Sequence, residues 1–167
     1  MDLVVLLWLV VLSDANIFFI NTILKQKNID NFFTKIISNY AEFDEKERMR
    51  IFPKQDYYHK KAHGCANCPH NLCKGKELRE IIRERISERE ERESERERER
   101  EREEIQISYF GDGKNDFCAA LELKKGDLLF PRKGKSLEEL VEKEKERWEE
   151  KGVGVCVWEH GDECWDF

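Results

Sequence analysis

Leu3-Val4-Val5-Leu6-Leu7-Trp8-Leu9-Val10-Val11-Leu12 is an unbroken apolar run, and it stops abruptly on Ser13-Asp14-Ala15-Asn16. A membrane-spanning helix needs about 20 such residues, roughly twice what is present. The richness in Val and Leu and the sudden polar stop read as a buried parallel strand. The alternative is the apolar core of a signal sequence, which would place the protein outside the cell. Against it stand Asp2, where a basic residue belongs, and the lack of a small-x-small cleavage site around Ser13 to Ala15.

Working outward, Ile17, Ile20, Ile23 and Leu24 have helical spacing, with Ser13 or Asp14 as the expected N-cap and Lys27-Asn28 as the end. Phe32 to Ser38 reads as a second strand. Tyr40 to Phe43 and Met49 to Phe52, separated by Asp44-Glu45-Lys46-Glu47, predict a surface β-hairpin closed by Pro53. A polar, aromatic and cysteine-rich loop fills Gln55 to Cys73. A helix is expected from about Lys74, with Leu78, Ile81 and Ile82 inward. Then come a strand over Ile105 to Phe110, a short helix over Asn115 to Leu121 and a strand over Asp127 to Phe130. An amphipathic helix over Ser136 to Glu150, capped by Ser136, leads to a last strand over Val153 to Trp158. Strands alternating with helices imply an α/β fold with a mainly parallel sheet. Sites in such sheets form at the carboxyl ends of the strands, where Ser13 and Asp112 fall.

Charged residues make up 40% of the 167 residues, yet they are unevenly placed. Residues 83–104 contain 8 Arg and 11 Glu, and outside this low-complexity run only about a third of residues are charged, as in ordinary globular chains. The run offers many i,i+3 and i,i+4 ion pairs and almost no apolar stripe, so it is either a solvated charged helix or disordered. A repeated AG dinucleotide encodes alternating Arg and Glu, so the expectation is a repeat expansion that lengthened a surface helix or loop and has no function of its own. The net charge of −6 and the lack of a basic patch exclude a nucleic-acid partner.

Of six cysteines, Cys65, Cys68 and Cys73 crowd together beside His63 and His70, Cys118 stands alone, and Cys156 and Cys164 lie near the end. Clustered thiols fit a reduced intracellular protein better than a disulfide scaffold. Cys65-x-x-Cys68 with Cys73 and the two histidines can chelate zinc, although no second half of a zinc finger follows.

Three motifs suit phosphate chemistry. Ser13 offers a hydroxyl and nearby N–H groups at a strand end, with Asp14 beside it. Lys74 opens a helix and supplies a positive charge. Gly111-Asp112-Gly113-Lys114-Asn115-Asp116 sets two carboxylates four apart on a glycine turn, hard oxygen ligands suited to Mg²⁺.

In this order they resemble motifs II, III and IV of the haloacid dehalogenase (HAD) superfamily. His63-Gly64-Cys65, Cys68-Pro69, Asn71-Leu72-Cys73-Lys74, Gly111-Asp112-Gly113, Asn115-Asp116-Phe117-Cys118, Phe130-Pro131-Arg132 and Val157-Trp158-Glu159 look like its phosphoethanolamine/phosphocholine and pyridoxal-phosphate phosphatase group. The resemblance implies a Rossmann-like core and Mg²⁺-dependent hydrolysis of small phosphorylated metabolites, with no nucleic acid and no membrane involved. By it, Ser13 and Lys74 are the catalytic residues present. Ser13, Asp14, Lys74 and Asn115 would hold phosphate, and Asp112 and Asp116 would serve Mg²⁺, Asp116 through water or by positioning. The thiols Cys65, Cys68 and Cys73 belong to the same signature as a loop feature, with structural zinc the alternative.

The family attacks phosphate with the first Asp of an Asp-x-Asp-x-Thr strand, and no Asp-x-Asp occurs in these 167 residues. Other departures are Ala119, where Pro is usual, and the long segment between Lys74 and Gly111. The expectation is therefore one partial HAD-like domain over residues 1–167, without the first strand and the helical cap, in the cytoplasm and inactive as it stands. The rival expectation is a non-catalytic remnant that binds phosphate, metal or a partner.

Overall fold

The computed structural model describes residues 7–60, 62–89, 105–161 and 163. Leu3 to Leu6 of the apolar run and residues 90–104 of the Arg/Glu run lie outside the described residues. The chain divides into two compact units. The first runs to Gly64 and includes Pro69–Leu72; the second comprises Cys65–Cys68 and everything from Cys73 onward. Among the described residues no helix is long and apolar enough to cross a membrane.

The first unit contains β1 (Leu9–Asn16), α1 (Ile17–Gln26), a 3₁₀ turn (Asp30–Phe32), β2 (Phe33–Phe43) and β3 (Met49–Phe52). The expected parallel strand is present: β1 pairs in parallel with β2, Val10 opposite Lys35 and Leu12 opposite Ile37. The hairpin is present too, with Tyr40 opposite Phe52 and Phe43 opposite Met49. Its first arm is not a separate strand, however. The β2 strand passes without interruption from a parallel partner to an antiparallel one, giving the order β1-β2-β3.

The cap of α1 also differs from expectation. Neither Ser13 nor Asp14 caps it; Asn16 does, with extended backbone and a side chain accepting the Phe19 N–H at 3.1 Å. The β1 strand reaches that far because the Asn39 side chain on β2 donates to the carbonyls of Asp14 (2.7 Å) and Ala15 (2.8 Å). On α1, Leu24 is buried but Ile23 is exposed, since at 100° per residue Ile23 lies a quarter-turn off the inward stripe.

The second unit contains α2 (Lys74–Arg89), β4 (Ser108–Gly111), a 3₁₀ turn (Lys114–Asp116), α3 (Phe117–Ala120), β5 (Leu128–Pro131), α4 (Ser136–Lys143), α5 (Lys145–Lys151) and β6 (Gly154–Val155). Its sheet is wholly parallel in the order β4-β5-β6, and a bridge between Arg132 and Trp158 prolongs it. Leu72 aside, the most deeply buried large side chains, Leu123, Leu129, Leu137 and Trp148, all belong to this unit.

The expected helix over Ser136 to Glu150 is two helices. At Glu144 the backbone leaves the helical region (φ −117°, ψ 31°). The Val141 carbonyl, which a continuous helix would give to Lys145, accepts instead from Glu144 N and from the Trp148 indole at 3.1 Å. The break lets a nearly fully buried Trp148 satisfy its one donor. Ser136 is the first helical residue rather than the cap, which is Lys135.

Candidate active site

Gly111 ends β4, and the chain turns there so that Asp112, Asn115 and Asp116 gather at the carboxyl edge of the parallel sheet. A Cβ on Gly111 would lie 2.7 Å from Cβ of Asp116 and 2.8 Å from Leu137, so only glycine admits this close turn. Asp116 is buried beneath it. One carboxylate oxygen, Oδ1, accepts from Lys74 Nζ at 2.6 Å and from the Tyr109 hydroxyl at 2.8 Å. The other, Oδ2, accepts the N–H groups of Asp112 (3.1 Å) and Gly113 (2.9 Å). Both oxygens are thus taken up, and the carboxylate is placed to hold the turn and the lysine rather than to ligate a metal directly.

Lys74 is the first residue of α2 and is as buried as its partner. Burial of an ammonium is tolerable only with a paired, hydrogen-bonded anion, which Asp116 supplies. Asp112 is different: its carboxylate is exposed, and its carbonyl accepts the Leu137 N–H at 3.1 Å, fixing the start of α4. Asn115 is half-buried and folds over Gly113, where a Cβ would come within 2.5 Å of its Oδ1. Lys74, Asp112, Asn115 and Asp116 are therefore brought together in the second unit.

Ser13 and Asp14 belong to the first unit. Ser13 is half-buried, and its hydroxyl oxygen accepts the Ala15 N–H at 3.2 Å; Asp14 is exposed. The regular β1–β2 register breaks between Leu12 and Asn16, so this stretch leaves the ladder and presents its polar groups. Asn39 is what holds it. Besides its two donated bonds, its Oδ1 accepts Lys54 N at 3.0 Å and Asn71 Nδ2 at 3.3 Å. A lone Asn within an apolar strand carries no sequence signal, and its role shows only in the fold.

The thiols show a second difference from the sequence reading. Cys118, isolated in sequence, lies 3.7 Å from Cys73 and 3.7 Å from Cys68, sulfur to sulfur. Cys65, Cys68 and Cys73 lie within 4.8 Å of one another. Burial raises the Cys68 thiol and pushes Cys118 up to about 12. Burial works against ionisation of Cys65 as well, but the Asn67 N–H and the neighbouring thiols outweigh it and hold Cys65 below the ordinary range. His63 lies in the first unit, its Nε2 2.9 Å from the Pro69 carbonyl.

Residues 5–167 match the model of a family described as "Putative Phosphatase". A phosphoethanolamine/phosphocholine phosphatase of Gallus gallus is 35% identical over 93% of this chain and 52% of its own length. A pyridoxal phosphate phosphatase of Mus musculus is 31% identical over 91% of this chain and 56% of its own. An inorganic pyrophosphatase of Arabidopsis thaliana is 35% identical over 78% and 42%. The chain spans about half the length of the curated relatives it matches. No solved structure matches it.

Proposed function

The chain belongs to this phosphatase family, and from that premise we propose that it carries the charge-neutralising and metal-holding part of a phosphomonoesterase site. The substrates would be small phosphorylated metabolites such as phosphoethanolamine, phosphocholine or pyridoxal phosphate, the kinds named for its relatives. The observation that carries this reading is the buried Lys74–Asp116 pair under the Gly111 turn, at the strand edge where α/β sheets place their chemistry.

In this reading Lys74, held at its Nζ by Asp116, presents a fixed positive charge to the phosphoryl group. The family resemblance gives Ser13 and Asp14 in the first unit, and the Asn115 amide in the second, the part of binding phosphate oxygens. Asp116 keeps the Asp112 and Gly113 amides in place, which holds the exposed Asp112 at the end of β4. That exposed hard-oxygen ligand fits Mg²⁺, which takes one or two carboxylates and keeps several waters. Bound there, the ion would supply charge stabilisation to the transferring phosphoryl group. Ser13 and Lys74 act by positioning and electrostatics; neither attacks phosphorus.

These 167 residues hold no Asp-x-Asp, and we assign the chain by itself no turnover. The same fact favours the second reading, a non-catalytic module that binds phosphate or metal. The reduced, thiol-rich composition supports a cytoplasmic setting for either.

The test is to assay the purified chain with Mg²⁺ on phosphoethanolamine, phosphocholine, pyridoxal phosphate and an aryl phosphate, where no hydrolysis is expected. A joined segment carrying an Asp-x-Asp-x-Thr strand and helical cap should then restore hydrolysis, lost again with Asp112→Asn. A joined protein inert on every substrate would sink the phosphatase reading in favour of the binding module.

A further inference from the structure

We propose that Cys65, Cys68, Cys73 and Cys118 form a four-thiolate site for a structural zinc ion, separate from the phosphate chemistry. The spacing of the sulfurs carries the argument. Zinc–thiolate bonds of about 2.3 Å in a tetrahedron set the sulfurs about 3.8 Å apart. The Cys118 sulfur stands 3.7 Å from those of Cys68 and Cys73, and ligand atoms of Cys65, Cys68, Cys73 and His63 lie within 4.8 Å of one another. His63 Nε2 is already engaged by the Pro69 carbonyl at 2.9 Å, which leaves the fourth position to Cys118. Those separations are far beyond the roughly 2.05 Å of a disulfide. A buried cysteine commonly packs as a small apolar residue. Four converging on one point from three stretches of chain is the arrangement a soft-ligand metal needs. Thiolates select zinc and leave Mg²⁺ to the carboxylates.

The surroundings suit the charge that such a site would carry. Two N–H groups are aimed at sulfur: Gly75 N donates to Cys118 Sγ at 2.9 Å, and Asn67 N donates to Cys65. Outer hydrogen bonds of this kind orient ligands and offset the excess negative charge of four thiolates around one dication. Cys73 immediately precedes α2, so the positive end of a 16-residue helix faces the same sulfurs. Gly75 makes the approach feasible, because a Cβ there would lie 2.5 Å from the Cys118 carbonyl oxygen and 3.0 Å from its sulfur.

Binding requires no redox step. Each of the four thiols releases one proton to solvent as its sulfur takes up the metal. The placement also gives the ion a task. Cys73 adjoins Lys74 and Cys118 follows Asp116 by two residues, so the metal clasps the two segments whose side chains form the buried ion pair.

The test uses the whole chain, refolded under reducing conditions with Co²⁺ as the probe. Saturation at one equivalent is expected, with thiolate-to-cobalt charge transfer and the ligand-field bands of a four-sulfur tetrahedron, both displaced by Zn²⁺. Absence of tetrahedral bands would overturn the proposal. So would a spectrum of three sulfurs and one nitrogen that changes with His63→Ala. Alkylation with and without zinc, read by mass spectrometry, needs no variant. Zinc should protect Cys65, Cys68, Cys73 and Cys118 while Cys156 still reacts, and an unprotected Cys118 refutes the four-thiol set. Cys118→His should move the cobalt bands toward those of a mixed sulfur–nitrogen site; a refolded Cys118→His protein with unchanged bands also refutes it.

Discussion

Lys74 and Asp116 lie 42 residues apart and meet in an ion pair of 2.6 Å, with both side chains more than nine-tenths buried. The pair is asymmetric. Asp116 has three other donors, the Tyr109 hydroxyl and two backbone N–H groups. Losing Lys74 leaves the carboxylate still hydrogen-bonded. Losing Asp116 removes at one stroke an acceptor from the Lys74 ammonium, the Tyr109 hydroxyl and two backbone amides.

Denaturant unfolding of the chain should expose that asymmetry. Breaking a buried pair costs about 3–5 kcal/mol. Asp116→Ala is expected at or above the upper end and Lys74→Met near the lower, with Tyr109→Phe about 1 kcal/mol. Equal losses for Asp116→Ala and Lys74→Met would mean that the turn does not depend on the aspartate.

Gly111→Ala should be destabilising by about 1–3 kcal/mol through overpacking, because its Cβ would meet both Asp116 and Leu137 within 2.8 Å. Gly161→Ala, where nothing lies within 4 Å, serves as the control and should be silent in thermal melts. A silent Gly111→Ala would show that the β4 turn has slack.

In the joined protein with a restored nucleophile strand, Lys74→Met should lower kcat about 10²–10³-fold, the usual cost of removing one charge-stabilising group. A change in KM alone would show that Lys74 binds the substrate without favouring the transition state.

Asn39 makes a separate prediction for the first unit. Replacing it by Leu removes the acceptor of the Lys54 N–H and the donors to the Asp14 and Ala15 carbonyls. A loss of about 1–3 kcal/mol is expected, since each of these part-buried bonds is worth about 0.5–1.5 kcal/mol. Amide exchange at Lys54 should quicken; unchanged exchange there would count against the latch.

The hairpin should respond to acid. The Arg48 N–H and guanidinium, with Lys46 N–H and Arg50, hold the Asp44 carboxyl below its usual range despite partial burial. A depressed folded-state value means its contribution is present above the ordinary carboxylate range and lost as pH falls through the depressed one. The Lys46 and Arg48 amide resonances should therefore titrate together, with a midpoint below that of an unperturbed aspartate. A midpoint at or above the ordinary value would remove Asp44 from the turn.

Much of this was legible in the sequence where the signal is local. The β2–β3 hairpin follows from two apolar stretches about a charged turn, and the site turn from Gly111-Asp112-Gly113 ahead of Asp116. What escaped depends on distant partners. The Glu144 break is invisible to a periodic pattern because it serves the Trp148 indole. Asn16 rather than Ser13 caps α1 because Asn39, on another strand, prolongs β1. Cys118 reads as solitary because its thiol neighbours lie at least 45 residues earlier in the chain.

One end of α2 is pinned by Lys74, and the Arg/Glu run begins toward the other, with Arg89 the last helical residue described. At 1.5 Å per residue the two ends are about 22 Å apart. Slippage in an AG-dinucleotide repeat, the kind of DNA that encodes alternating Arg and Glu, would therefore add or remove Arg-Glu pairs without reaching the lysine. Length at this point is close to invisible to selection on the site, so individuals of one population should carry alleles of differing run length around an unchanged Lys74, Asp112 and Asp116.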